Sequence, residues 1–536
     1  MSYLVIALHG HLPYINHPEH NTFLEEDWFF EGIADCYLPI LGMLDGWAHD
    51  GVPASITLGL SPPLLSMMAN HRLRERTARY LERRRVLVER YLGTLAEDNE
   101  FRQAALFNRE ETEKAQARYD ACGRDVARAF AEHHFAGRSE IMTCNVTHGL
   151  APVLQDLPTV RAQVREAVRA HERMLGFRPR GIWMPECGIH PAGLQACAEE
   201  NLCFTFTEDR AVRFAWPPPQ NDVYRPLWSP EGVGLFPRDP GSAKEVWSAV
   251  EGYPGDARYR EFYRDLGYDA NDSLLDAEHK QGTGANKNVG EKRHKITGRV
   301  PLDEKQPYDP RAAREAVQQH AQHFAERRCQ DALEIERSLE DEPVITAAFD
   351  CELFGHWWHE GPWVLDAFLR KLAQGTVAGM PAPRPVTAYH YLELEPTQQV
   401  SFPAVSSWGD GGAFEVWVNQ RNDWLWRRVH DAERSYSDVV NNLDHSGVTD
   451  AGSVHGRAVR QACRELLLAQ SSDWPFILTM GTQMGYAQKR PIVHLSRCHR
   501  LLSGLEKGNV DEADLAQMEE RDAVFPDVDP GTMLGW

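Results

Sequence analysis

Apolar residues along this 536-residue chain gather in short continuous runs, each closed by polar or ionisable side chains. Seven runs stand out: "YLVIAL" before His9, "SITLGL" before Ser61, "EIMTCN" before His148, "GIWMP" before Glu186, "CFTFT" before Glu208, "GVGLF" before Arg238 and "PVITAAF" before Asp350. An unbroken apolar run, rather than strict alternation, predicts a strand buried on both faces, as in a parallel sheet covered by helices. Amphipathic helical patterns such as "TVRAQVREAVRAHERML" and "DPRAAREAVQQHAQHFAERRCQDALEIERSL" fall between the runs. Strand and helix alternating over nearly 400 residues predict an α/β barrel or a wide doubly wound sheet.

Two segments interrupt this rhythm. Residues 70–136 are charged, helical and strand-free, and predict a helical subdomain inserted after the second strand. The Gly- and Lys-rich stretch 279–299 predicts a mobile surface loop. Beyond residue 400 the pattern turns helical, with "SYSDVVNNL" and "GRAVRQACRELLLAQ" as candidates, which predicts a C-terminal helical domain over 400–536. The barrel itself is then residues 1–69 and 137–399.

Composition narrows the function. A formal charge of −21 opposes a nucleic-acid backbone or an anionic membrane as partner and favours a neutral or small ligand. No run approaches eighteen apolar residues, and "MSYLVIALHGHLPYI" lacks the basic start of a signal peptide. Ten scattered cysteines without a CxxC pair read as reduced, cytoplasmic thiols. Either a monomer or a homodimer fits the acidic surface.

The chemistry gathers at the predicted strand ends, where parallel barrels place their reactive groups. "HGHLPY" holds His9 and His11, "NVTHG" holds Asn145 and His148, "WMPECG" holds Glu186, and "FDCELFGHWW" holds Asp350. Two carboxylates on different strands suit cleavage of a glycosidic bond, one as nucleophile and one protonating the leaving oxygen. Aromatic rings cover the flat CH faces of sugars, and the chain has fifteen tryptophans. A metal site competes with this reading: His9, His11, His148 and Asp350 are also the ligand set of a metal-dependent hydrolase. No Walker or Rossmann glycine loop and no GxSxG elbow is present.

With these residues assembled, the chain resembles glycoside hydrolase family 57, and within it the 1,4-α-glucan branching enzymes. Five blocks follow the family's order: "HGHLPY", "NVTHG", "IWMPECG", "AAFDCELFGHWWHEGP" and "SSWGDGG". The stretches "EEDWFFEGIADCYLPIL", "EGYPGDARYREFYRDLGYD" and "AQSSDWPFI" resemble the branching enzymes in particular. The resemblance implies an incomplete (β/α)7 barrel of seven strands with an inserted helical subdomain and a C-terminal helical domain. It implies double displacement with retention and no metal or other cofactor. Glu186 matches the nucleophile and Asp350 the general acid and base; His9 and His148 match histidines near the reacting sugar. Trp28, Trp408, Trp417 and Asp473 match positions lining the glucan groove, and His356 and Trp357 join the substrate-binding candidates.

One departure bears on the acceptor. Branching enzymes of this family carry a tyrosine in a mobile loop, in a "YTPSG"-like stretch, whereas this chain reads "VYRPLWSPEGVGLF". Trp228 falls in the tyrosine's place, with Tyr224 four residues earlier. The expected activity is therefore cleavage of an α-1,4 bond and its re-formation as an α-1,6 branch. An amylase or 4-α-glucanotransferase with little branching is the alternative in the same chemistry, and a non-catalytic glucan-binding protein the alternative of another class.

Overall fold

The computed structural model describes residues 2–534, apart from 249–251, 271–272, 282, 340–341 and 444–449. All seven predicted runs form strands of one sheet: β1 (Tyr3–Gly10), β2 (Ile56–Leu60), β3 (Ser139–Cys144), β4 (Gly181–Trp183), β5 (Phe204–Thr207), β7 (Gly234–Pro237) and β8 (Val344–Asp350). They are parallel and adjacent in the order β8-β1-β2-β3-β4-β5-β7. A two-residue strand, β6 (Leu227–Trp228), pairs antiparallel with β7. Beyond a small hairpin of β9 (Thr376–Val377) and β10 (Met380–Pro381), β11 (Arg384–Val386) pairs with Tyr3–Val5, below the point where β2 takes over at Ala7.

The continuous apolar runs have a direct structural meaning. In β1, Leu4, Ile6 and Leu8 join the core beneath the outer helices, while Tyr3, Val5 and Ala7 join the barrel interior with Trp183, Phe204, Phe206 and Phe236. Both faces are buried, so both sets must be apolar. Ala388, Tyr391 and Leu392 of the helix Ala388–Leu394 plug that interior. The barrel does not close. Among the described residues β7 and β8 share no ladder, and one bond from Asp239 N to Thr346 O (2.8 Å) crosses the seam.

Between β2 and β3 the chain forms the helices His71–Thr94, Arg102–Ala121 and Val126–Phe135. The stretch 279–299 is corrected by the structure: much of it is buried, not a surface loop. Lys287 pairs with Asp27 (2.6 Å), Glu291 with Arg84 (3.1 Å) and Lys292 with Asp265 (3.5 Å), so its charges are buried in pairs. The helical pattern expected from residue 400 begins at Asp423. Residues 399–408 form a strap along the sheet, bonding Trp228 (2.8 Å through Gln399), Trp216 (2.9 Å through Phe402), Ile189 (2.9 Å through Ser406) and finally Glu186 (2.9 Å through Trp408). Among the described residues no helix is long and apolar enough to cross a membrane.

Candidate active site

The site forms where β1, β3, β4 and β8 end. Glu186 follows β4 in a left-handed backbone conformation (φ 60°, ψ 24°); Cys187 beside it (φ 50°) and His148 after β3 (φ 61°) share the positive φ. Each such non-glycine residue costs about 1–3 kcal/mol and persists only where its surroundings enforce it. Here Trp408 N bonds the Glu186 carbonyl (2.9 Å), and Ser472 N bonds that of His148 (3.0 Å).

The Glu186 carboxylate receives two donors. Trp408 Nε1–H reaches Oε2 at 2.8 Å, and the Ser472 hydroxyl reaches Oε1 at 2.8 Å. Behind Ser472 stands His148 Nδ1 (2.7 Å), and behind His148 Nε2 stands His9 Nε2 (3.0 Å). Burial, then the neighbouring imidazoles, holds both histidines well below the ordinary imidazole range, so both are neutral. One assignment satisfies every link: His9 donates to His148, His148 to Ser472, and Ser472 to Glu186. Burial raises the Glu186 pKa to about 7, against the pull of Ser472 and Trp408.

Asp350 ends β8 opposite His9 in the β1 register. Burial pushes its carboxyl well up, the negative charges of Glu352 and Glu186 push further, and Arg238 offsets only part. Among the described residues no hydrogen-bond donor reaches it. Glu352 is itself raised to about 7 by burial, although the Tyr37 hydroxyl and the His11 N–H (2.9 Å) both donate to its Oε1. The two carboxyls therefore differ in kind: Glu186 is buried and solvated by protein donors, whereas Asp350 is half-buried and stands beside two acids.

Imidazole and indole rings stack beneath. His9 lies on Trp183 (4.7 Å between centroids, 6° between planes) and His11 on His148 (3.8 Å, 6°). His11 Nε2 meets Asp473 Oδ2 at 3.0 Å. Burial pushes Asp473 up, but His11, with the Ser471 hydroxyl, outweighs it and holds the acid at about 2. His11, His148 and Asp473 are close enough for a cation, but an imidazole binds a metal in its ring plane. The planes of His11 and His148 are parallel and offset face to face, so one ion cannot lie in both, and the donor set fits a hydrogen-bond network better.

The structure thus brings Glu186, Asp350, His9, His148, Trp408 and Asp473 to one end of the barrel. Tyr224 and Trp228 fall elsewhere. Trp417 is 2% exposed in the turn before the helix Asp423–Asn441, packed beside Gly409, where its carbonyl accepts from Trp426, and it presents no face to a ligand. Tyr224 and Trp228 belong to the opposite, amino-terminal end. The Tyr224 carbonyl accepts from Val344 N, six residues of extended chain before Asp350, or roughly 20 Å. Trp228 pairs with Gly234 at the start of β7 and donates from Nε1 to the Pro396 carbonyl (3.3 Å). Neither reaches the carboxyl pair, so the loop correspondence that named them fails. Trp28 packs edge-on against Tyr486. His356 packs edge-on against Phe262 beside Glu31, its pKa lowered to about 4 by burial. Trp357 is 52% exposed and lies on Phe262 (4.4 Å). Sequence reasoning missed Ser472, Glu352, Tyr37, Trp183 and Arg238. Ser472 sits in the quoted "SSDW" and Glu352 two residues after Asp350, so both were signalled by adjacency alone.

An open parallel barrel with one buried and one half-buried carboxyl and clustered rings at its mouth is the architecture of a glycoside hydrolase. The family model described as Glycosyl hydrolase family 57 matches residues 5–265, and that described as 1,4-alpha-glucan branching enzyme, C-terminal, matches 428–532. The 1,4-alpha-glucan branching enzyme of Thermococcus kodakarensis is 30% identical over 98% of this chain and 77% of its own. The crystal structure of that organism's GH57 branching enzyme superposes with a TM-score of 0.87 at 29% identity, covering 99% of this chain and 96% of that one. The crystal structure titled a novel alpha-amylase, AmyC, from Thermotoga maritima gives a TM-score of 0.91 at 35% identity over 99% of both chains. This chain belongs to glycosyl hydrolase family 57.

Proposed function

We propose that the protein is a retaining 1,4-α-glucan branching enzyme, with Glu186 as nucleophile and Asp350 as general acid and base. The observation that carries this is the unequal treatment of the two carboxyls: two donors for Glu186, acids around Asp350. Between their two titrations the pair holds one proton, and it resides on Asp350. That is the state double displacement requires. Ionised Glu186 attacks the anomeric carbon while Asp350 gives its proton to the leaving oxygen. Asp350, now a base, then takes the proton of the incoming 6-hydroxyl as the chain transfers and Glu186 is released.

The neutral histidines orient Ser472 and Glu186 without adding charge. Trp408 holds Glu186 through its indole N–H and offers its ring to the sugar. Asp473, ionised beside His11, supplies acceptors for sugar hydroxyls. Ten unpaired cysteines support a cytoplasmic location. The division into a barrel (1–69, 137–399), a helical insertion (70–136) and a C-terminal helical domain (400–536) belongs to the same proposal. In it the last part is more than packing, because Ser472 and Asp473 come from it.

A second reading, transfer to water or a 4-hydroxyl, is favoured by the likeness to the Thermotoga maritima alpha-amylase. One experiment separates them. Amylose is incubated with the purified protein, the anomeric proton NMR signals are read for α-1,6 linkages, and new reducing ends are counted in parallel. Branching predicts α-1,6 signal with few reducing ends; reducing ends without α-1,6 signal would replace it with hydrolysis.

A further inference from the structure

Behind the barrel, between the inserted helices and the helices Pro310–Ser338 and Gly361–Leu372, lies a cavity of about 700 Å³. Its charge is opposite to that of the molecule. The three carboxylates in its wall are each matched: Asp35 by Arg84 (2.8 Å), Glu111 by Lys114 (3.0 Å) and Asp366 by Arg370 (2.8 Å). Four more cations remain in the wall: Arg118, Arg260, Arg314 and Lys371. Arg118 lies 3.9 Å from Asp45, and among the described residues no carboxylate stands within 4 Å of the other three.

Arg260 is the telling one. It is 6% exposed, and its guanidinium has no hydrogen-bond or ion-pair partner among the described residues. Asp35, Glu291 and Glu360 feel its charge without pairing with it. A buried cation without a partner is costly, and an arginine fork matches a phosphate oxygen pair. The same wall holds shielded polar atoms without partners: Asn108 Oδ1, Thr112 Oγ1 and His359 Nε2. Trp363, with Arg314 over its ring (5.5 Å), adds an aromatic surface of the kind that covers a sugar.

We propose that this cavity binds a phosphorylated sugar, with Arg260, Arg314 and Lys371 receiving the phosphate and Trp363 the ring. The site is separate from Glu186 and Asp350 and does not depend on which glucan reaction they perform. It does touch the catalytic segment: Asp35 is in its wall, while Tyr37, two residues on, donates to Glu352.

The test is calorimetric titration of the full chain at low salt with glucose 6-phosphate, inorganic phosphate and glucose. Glucose 6-phosphate is expected to bind saturably, and the rim double variant Arg314→Glu, Lys371→Glu to weaken it at least tenfold while leaving any glucose binding unchanged. Arg260→Met should weaken it as much; if that variant does not fold, the rim pair decides. Absence of saturable binding, or binding that the rim variant leaves intact, overturns the proposal. Inorganic phosphate binding as tightly as glucose 6-phosphate overturns the sugar half of it.

Discussion

Ser472→Ala tests the hydrogen-bond chain at its most informative link. Ser472 is fully buried; it contacts Glu186 and His148 and presents no surface to a glucan, so its removal acts through the hydrogen-bond chain to the nucleophile and not through lost substrate contact. The hydroxyl–carboxylate bond of 2.8 Å has an ionised acceptor, and such bonds contribute about 1.5–3 kcal/mol. Losing it disfavours ionised Glu186, so its pKa must rise from about 7. At 1.36 kcal/mol per unit the rise is about 1–2 units. Attack needs the carboxylate, so activity is lost as pH falls through the Glu186 pKa. The acid limb of kcat/KM on amylose should therefore move up by about 1–2 pH units, with a roughly 10- to 100-fold loss at pH 6. Well above both pKa values the loss should shrink to whatever geometry contributes. The assay is the pH profile of kcat/KM for variant and wild type over the same range. A uniform fall at every pH, with the acid limb unmoved, would refute the claim that Ser472 stabilises the Glu186 charge.

Other substitutions check other parts of the reasoning. Glu186→Gln should reduce turnover by at least about 10³-fold while glucan binding, measured by affinity electrophoresis, persists. Trp228→Tyr should leave the ratio of α-1,6 linkages to reducing ends unchanged in the NMR assay, because Trp228 lies at the far end of the sheet. Incubation with EDTA should leave activity intact, since the stacked planes of His11 and His148 do not converge on one ion. Gly355→Ala should destabilise the fold by about 3 kcal/mol or more in a urea melt, because Gly355 has φ +107° and an added Cβ would lie 1.9 Å from the Asp35 carbonyl oxygen.

The seven strands were legible because burial on both faces keeps most positions apolar despite a few buried polar ones such as Thr57 and Glu140, and the polar residue ending each run marks the barrel mouth. Burial of charge was not legible in the same way. Lys287, Glu291 and Lys292 make 279–299 look exposed, since composition cannot register that Asp27, Arg84 and Asp265 wait to pair with them. Tryptophans mislead for a related reason: Trp408 at the nucleophile and Trp417 in the core stand nine residues apart and look alike on paper. What separates them is which backbone the strap meets. Glu186 could be named from its own neighbours in sequence, but not the groups that fix its charge. Its donors come from 222 and 286 residues away, on a strap and at a helix break in the C-terminal part of the chain. A serine there carries no local mark of its task. Its role exists only once the helical part has packed on the barrel. Substitutions that loosen this packing far from the groove should therefore raise the acid limb before they unfold the protein.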